Sequence, residues 1–185
     1  MQLSKDLRKY QMNSNLDILG LVFNLINYLF IFLFLFNLLK VNYYNSVVSI
    51  FVKIYKPISK VFSPIPNQAV NVLFLAILFK FLSNYIYFGG QYDITVLAGV
   101  ALIQTIMVTL RVIFFAVIGG VILSWVSPSN SNAFLELIEE VSYKSLAPIR
   151  KFIPSAGGLD FSPLFILVLI NLLESFLSDI LRSMV

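Results

Sequence analysis

Four apolar runs, at residues 16–39, 69–88, 94–126 and 162 to about 177, decide what this chain can fold into. Crossing roughly 30 Å of hydrocarbon takes around 20 helical residues, and each run comes close to or exceeds that length. Of the 185 residues, 59% are hydrophobic and 12% charged, against roughly 45–50% and about 25% in a soluble domain. The chain therefore reads as an all-α membrane protein with four transmembrane helices. The third run has 33 residues, roughly 50 Å of helix, so it has to tilt, kink or protrude, and Gly119-Gly120 is the expected bend.

Residues 1–15 form a basic segment with Lys5, Arg8 and Lys9. The run behind it exceeds the roughly 7–15 residues of a signal-peptide core and has no small-residue cleavage site after it, so it is expected to stay as an anchor. Two shorter amphipathic segments lie between spans. NSVVSIFVKIYK, with Val47, Ile50, Phe51 and Ile54 at helical spacing, is expected to end at Pro57. FLELIEEVSYKSL, with Phe134, Leu137, Ile138 and Val141 on one face and Glu136, Glu139 and Glu140 on a solvated one, is expected to end at Pro148. Turns are expected at SPIPNQ (63–68), at the GGQYD hairpin (89–93) and at SPSNSN (127–132). Ser162-Pro163 reads as a helix entry, the serine accepting from a free backbone N–H.

Shifting the chain by 91 residues lays YKPISKVF (55–62) on LAPIRKFI (146–153) without a gap. Eight identities follow between positions 53 and 82: Lys53, Pro57, Ile58, Lys60, Leu73, Phe74, Leu78 and Leu82. Apolar bias produces the leucine matches; it does not place K-x-x-x-P-I-x-K twice ahead of two spans. The chain thus divides into a first repeat at 16–88, a connecting hairpin at 89–93 and a second repeat at 94–185. With two crossings each, the repeats are parallel. The two repeat loops carry Lys40, Lys53, Lys56, Lys60, Lys144, Arg150 and Lys151, the other side Lys5, Arg8, Lys9 and Arg182, which favours the repeat loops inside.

With no cysteine and no histidine, disulfides, iron–sulfur clusters, structural zinc and covalently attached haem lack their ligands. No cofactor or metal is expected, and the Glu136, Glu139 and Glu140 trio lacks complementary oxygen ligands. No carboxylate pair shares a pocket and no glycine loop suits phosphate, so the chain is not expected to be an enzyme. The net charge of +4 lies in loops at headgroup level and reads as topology, not as a nucleic-acid footprint.

The run P-I-R-K-F-I-P-x-x-G-G-L-D-F-S-P (148–163), preceded by I-L-S-W-V-S-P (122–128), closely resembles the YggT family, also called YlmG, of small bacterial and plastid membrane proteins. The resemblance is strong over 120–177 and weaker over the first repeat, where Ser59, Asn67 and Ala69 replace the arginine, second glycine and aspartate. It implies an integral protein of the bacterial inner (plasma) membrane with two such repeats, from a family associated with cytochrome and haem maturation, cell division or osmotic stress. It points to Pro148, Arg150, Lys151, Pro154, Gly157, Gly158, Asp160, Phe161, Ser162 and Pro163 as the motif that docks partners. Arg150 and Asp160 flank a turn able to bring them together, and the first repeat lacks both charges, as loss of an ion pair would leave it.

Lys80, Arg111, Asn171 and Glu174 lie inside spans, where ionisable groups face the bundle interior and have partners. Lys80 with Glu174, and Arg111 with Asp17 or Glu174, are geometrically possible pairs, and Asn24, Asn27 and Asn37 the expected helix-packing contacts. The function expected is a non-enzymatic assembly or scaffold factor presenting the 148–163 loop. Its partners are expected to be other membrane proteins, lipid headgroups or a second copy in a homo-oligomer. The alternative is a small ion or solute conductor built on the intramembrane polar residues.

Overall fold

The structure, a computed structural model, describes residues 2–61, 65–126, 132–153 and 160–184, with side chains from residue 15 onward and to residue 59 in the first of these stretches. Among the described residues there are six helices: α1 (Gln2–Leu38), α2 (Ser46–Val61), α3 (Gln68–Phe88), α4 (Ile94–Val126), α5 (Ala133–Arg150) and α6 (Ser162–Met184). Four of them, taking α1 from Asn15, are long and apolar enough to cross a membrane. α3 starts where Asn67 Oδ1 accepts from the N–H groups of Ala69 (3.0 Å) and Val70 (3.2 Å), filling bonds that the first helical turn leaves open. A tight turn then accepts on Phe88 O from Gln91 and Tyr92 and hands the chain to α4.

The α1–α3 pair is the spine of the molecule, with α4 beside it, α6 on the far side of α4, and α5 bridging α4 and α6. Phe30, Ile31 and Leu35 of α1 pack on Val72, Leu75 and Ala76 of α3. Lipid supplies no hydrophobic drive between spans, so close packing and hydrogen bonds hold them. A polar seam supplies those bonds. Asn27 Nδ2 donates to Ala76 O at 2.8 Å and to Thr105 Oγ1 at 3.4 Å, Ser83 Oγ donates to Gly20 O at 2.8 Å, and Asn84 Nδ2 donates to Gln104 Oε1 at 3.1 Å.

Several expectations are corrected. α2 and α5 run through Pro57 and Pro148 to Val61 and Arg150, because a proline this near the C-terminus removes only one N–H bond, and its kink falls where the helix is about to end. The inward stripe of α2 is Val48 and Tyr55, buried, with Phe51 and Val52 half-buried, and its Phe51 meets Phe32 and Phe36 of α1, while Ile50 and Ile54 stay exposed. Gly119-Gly120 does not break α4, which is continuous. Those glycines instead admit α5: a Cβ on Gly119 would come within 2.8 Å of Ile138, and one on Gly120 would overlap Ser142. Of the expected turn at 63–68, residues 65–67 are described and lead into the Asn67 cap, while 63 and 64 lie outside the described residues, as do 127–131 of the turn at 127–132.

The α1–α2 turn is clamped to α5. α1 ends with Val41 N–H on Phe36 O at 2.9 Å and Lys40 in the left-handed region (φ 52), the geometry that closes a helix with its last carbonyls bonded. Glu140 then accepts from Asn42 N–H at 2.9 and 3.1 Å, Lys144 bonds Glu140 at 2.6 Å and Lys40 O, and Asn45 Nδ2 donates to Ala133 O at 2.7 Å. Glu140 is therefore a structural acceptor and not part of a solvated face.

Candidate functional site at the α5–α6 corner

α5 turns Leu137, Val141, Ser142, Ser145 and Leu146 inward, which seats its last turn, with Arg150, against the C-terminal part of α4. α6 is anchored by Ile166 and Ile170 on Val117 and Leu146. Between them these contacts bring Arg150 and Asp160 together. Arg150 Nε donates to Asp160 Oδ2 at 2.9 Å, and Asp160 Oδ1 accepts from Ser162 N–H at 2.9 Å. One carboxylate therefore ties α5 to α6 and caps α6 at once. The Arg150 guanidinium also lies 4.9 Å from the centre of the Tyr143 ring, a cation–π contact that fixes it from a second side.

The aspartate, and not Ser162, accepts the free N–H at the start of α6. The Ser162 hydroxyl is buried with no hydrogen bond in place among the described residues, and it lies close enough to Asp160 for its rotatable O–H to favour the charged carboxylate. Partial burial works against that charge, but the Ser162 hydroxyl and N–H and the Arg150 guanidinium outweigh it and hold the Asp160 carboxyl below its ordinary pKa.

Because the folded-state pKa is the lower one, the clasp's contribution is complete above the ordinary carboxylate value of about 3.9 and is lost as pH falls through the depressed one. Trp125, the single tryptophan, lines the same groove as Arg150 and Asp160 and reports on it. Its emission is expected to hold steady from pH 8 to about 5 and to change only below about 4, and Asp160→Asn is expected to remove that acid step.

The groove lies between α4, α5 and α6, has a volume of about 760 Å³ and is lined by Gly120, Trp125, Ser142, Arg150, Asp160 and Leu167 among others. Around it stand exposed aromatics, Phe152 at 84%, Trp125 at 82% and Tyr143 at 65%. Pro148 and Lys151 are exposed, as is Phe161, while Pro163 lines the groove. Pro154, Gly157 and Gly158 lie outside the described residues.

Of the possible intramembrane pairs, one forms and one does not. Lys80 does not meet Glu174; its Nζ donates to Asn24 Oδ1 at 2.9 Å. Arg111 pairs with Glu174 at 3.4 Å and not with Asp17. Asn171 is exposed on α6 and returns its amide to Leu167 O at 2.9 Å. Tyr143, Glu140 and Lys144 were not legible as partners. The lysine's spacing of four from Glu140 was the one available sign.

A helical bundle with four candidate spans and a charged clasp at one end defines an integral membrane protein. Residues 99–181 match the CCB3/YggT family model, and an uncharacterized protein of Haemophilus influenzae is 30% identical over 153 residues, 78% of this chain and 81% of that one. The chain belongs to the CCB3/YggT family. An uncharacterized protein of Pseudomonas aeruginosa is 40% identical over 75 residues (40% of this chain, 38% of that one), and the uncharacterized protein YggT of Escherichia coli 32% over 71 residues (38% and 37%). No solved structure matches the chain.

Proposed function

We propose that this protein is a non-enzymatic assembly or scaffold factor of the bacterial inner membrane, built from two tandem units with amphipathic helices α2 and α5, that presents residues 148–163 to a partner membrane protein. The observation that carries this reading is the group of exposed aromatics, Trp125, Tyr143 and Phe152, set around a clasp whose charges are already paired. Aromatic and arginine side chains held in place at low entropic cost are what protein interfaces use as anchors. The conductor reading draws less support, since Lys80 is engaged on the α1–α3 seam and Arg111 with Glu174 on the α4–α6 edge, so no shared path joins them.

The test is affinity purification from native membranes in mild detergent, comparing wild type with Arg150→Glu by quantitative mass spectrometry. A defined membrane protein enriched with wild type and lost with the variant is the expected result. The same proteins recovered with both would overturn the docking role, provided the variant elutes as wild type does in size-exclusion chromatography.

A further inference from the structure

The α4–α6 edge carries charges that the monomer leaves half-served. Arg111 sits at the middle of α4 and Glu174 at the middle of α6, the depth at which lipid offers no hydrogen bond. The Arg111 side chain is 55% exposed and, among the described residues, its one hydrogen-bonding partner is Glu174 Oε2 at 3.4 Å. Glu174 Oε1 is buried and has no hydrogen-bond partner among the described residues. Three residues before it, Asn171 is exposed and uses only its Nδ2, bonded within its own helix. A guanidinium has five donors and an amide two donors and an acceptor, so most of this capacity is unused.

α6 is also lightly embedded. Its buried residues are Ser162, Ile166 and Ile170, all before Asn171, and among the described residues its main neighbours are α4 and α5. Leu164 and Val168 on α6, with Phe115 and Ile122 on α4, are more than half exposed, so the polar cluster stands within an apolar surface.

We propose that a second copy of this chain packs on the α4–α6 face across a two-fold axis along the membrane normal, so that each Arg111 is shared between its own Glu174 and the partner's Glu174. The argument is charge complementarity. A cation and an anion side by side at one depth form a patch that is its own complement under a two-fold rotation. Such a pairing neutralises both charges, gives the guanidinium a second carboxylate, and sets Asn171 near its symmetry mate, where an interhelical amide bond replaces exposure to lipid. A lipid tail satisfies none of these groups. A heterologous partner would need a matching pair of opposite charges at the same depth, a requirement that the chain itself already meets.

The chain has no cysteine, which makes the test direct. Asn171→Cys in native membranes, oxidised or treated with a short bifunctional maleimide, is expected to give a covalent dimer on a non-reducing gel. Leu25→Cys, on an exposed position of α1, is the control and is expected to stay monomeric. Monomer alone from Asn171→Cys, or equal dimer from both positions, would overturn the proposal.

In the Asn171→Cys background, Arg111→Glu or Glu174→Arg alone is expected to lower the dimer yield about tenfold. Co-expressing the two under different tags is expected to restore a dimer carrying both tags, because only across the interface does each altered charge meet its opposite. Charge-altered chains that fail to pair with one another would sink the reciprocal ion pair. This outcome is independent of whether the α5–α6 corner docks another protein.

Discussion

Gly120→Leu pushes α5 off α4 and lowers stability by about 3 kcal/mol, at the upper end of overpacking costs. Ser142 stands directly over Gly120, so even a Cβ at 120 overlaps its side chain, and close backbone approach between membrane helices depends on such small residues. The loss spreads, because α5 also clamps the α1–α2 turn through Glu140 and Lys144 and holds Arg150 against Asp160. Gly119 meets the γ2 methyl of Ile138 at 2.8 Å, a wider gap than the one at Gly120, but that methyl belongs to a β-branched side chain whose rotamer is restricted in a helix, so a substituent there is crowded as well. A double-mutant cycle checks the cause. Gly120→Ala is expected to cost about 1–3 kcal/mol, and Ser142→Gly in the same chain to recover most of it in unfolding from detergent micelles. Equal losses in the single and double variants would mean that the contact is not what Gly120 serves.

How the spans lie was legible because hydrocarbon demands length. The limits of α4, 94–126, and of α3, within one residue, follow from where apolar residues stop. What the sequence withheld concerns faces and partners. In α2, apolar residues occupy 47, 48, 50, 51, 52 and 54, covering more than one side. Only contact with Phe32 and Phe36 selects the stripe that is buried. The sequence suggested a bend at Gly119-Gly120 and carried no sign of the close approach of α5 that the structure shows there. Ion pairs across spans depend on tilt: Arg111 meets Glu174 but Lys80 does not, although all three lie near mid-helix. At the corner, the absence of both charges from the stretch that aligns at a shift of 91 residues pointed to Arg150 with Asp160, whereas the tyrosine ring seven residues before Arg150 carried no signal of its own.

Asn27→Asp is the second large effect, expected at about 3 kcal/mol, the scale for an aspartate at mid-membrane. Asn27 is fully buried where α1, α3 and α4 meet, and its two bonds, to Ala76 O and Thr105 Oγ1, are both donated. Aspartate keeps the shape but removes those donors and adds a charge beside two oxygens. Asn27→Leu removes the same bonds without adding a charge, in the same γ-branched shape but with a larger volume, and is expected to cost about 1–2 kcal/mol, within the range for added core volume. Ala76 O still accepts from its own helix, so little is left unpaired. The contrast separates two roles for the seam. Packing glue tolerates leucine and rejects the carboxylate, whereas a water-filled path would hydrate the carboxylate and accept it at little cost. Unfolding of the two variants in bicelles measures the difference directly, and an aspartate no more costly than leucine would return the seam of Asn27, Asn24 and Lys80 to consideration as a conduit.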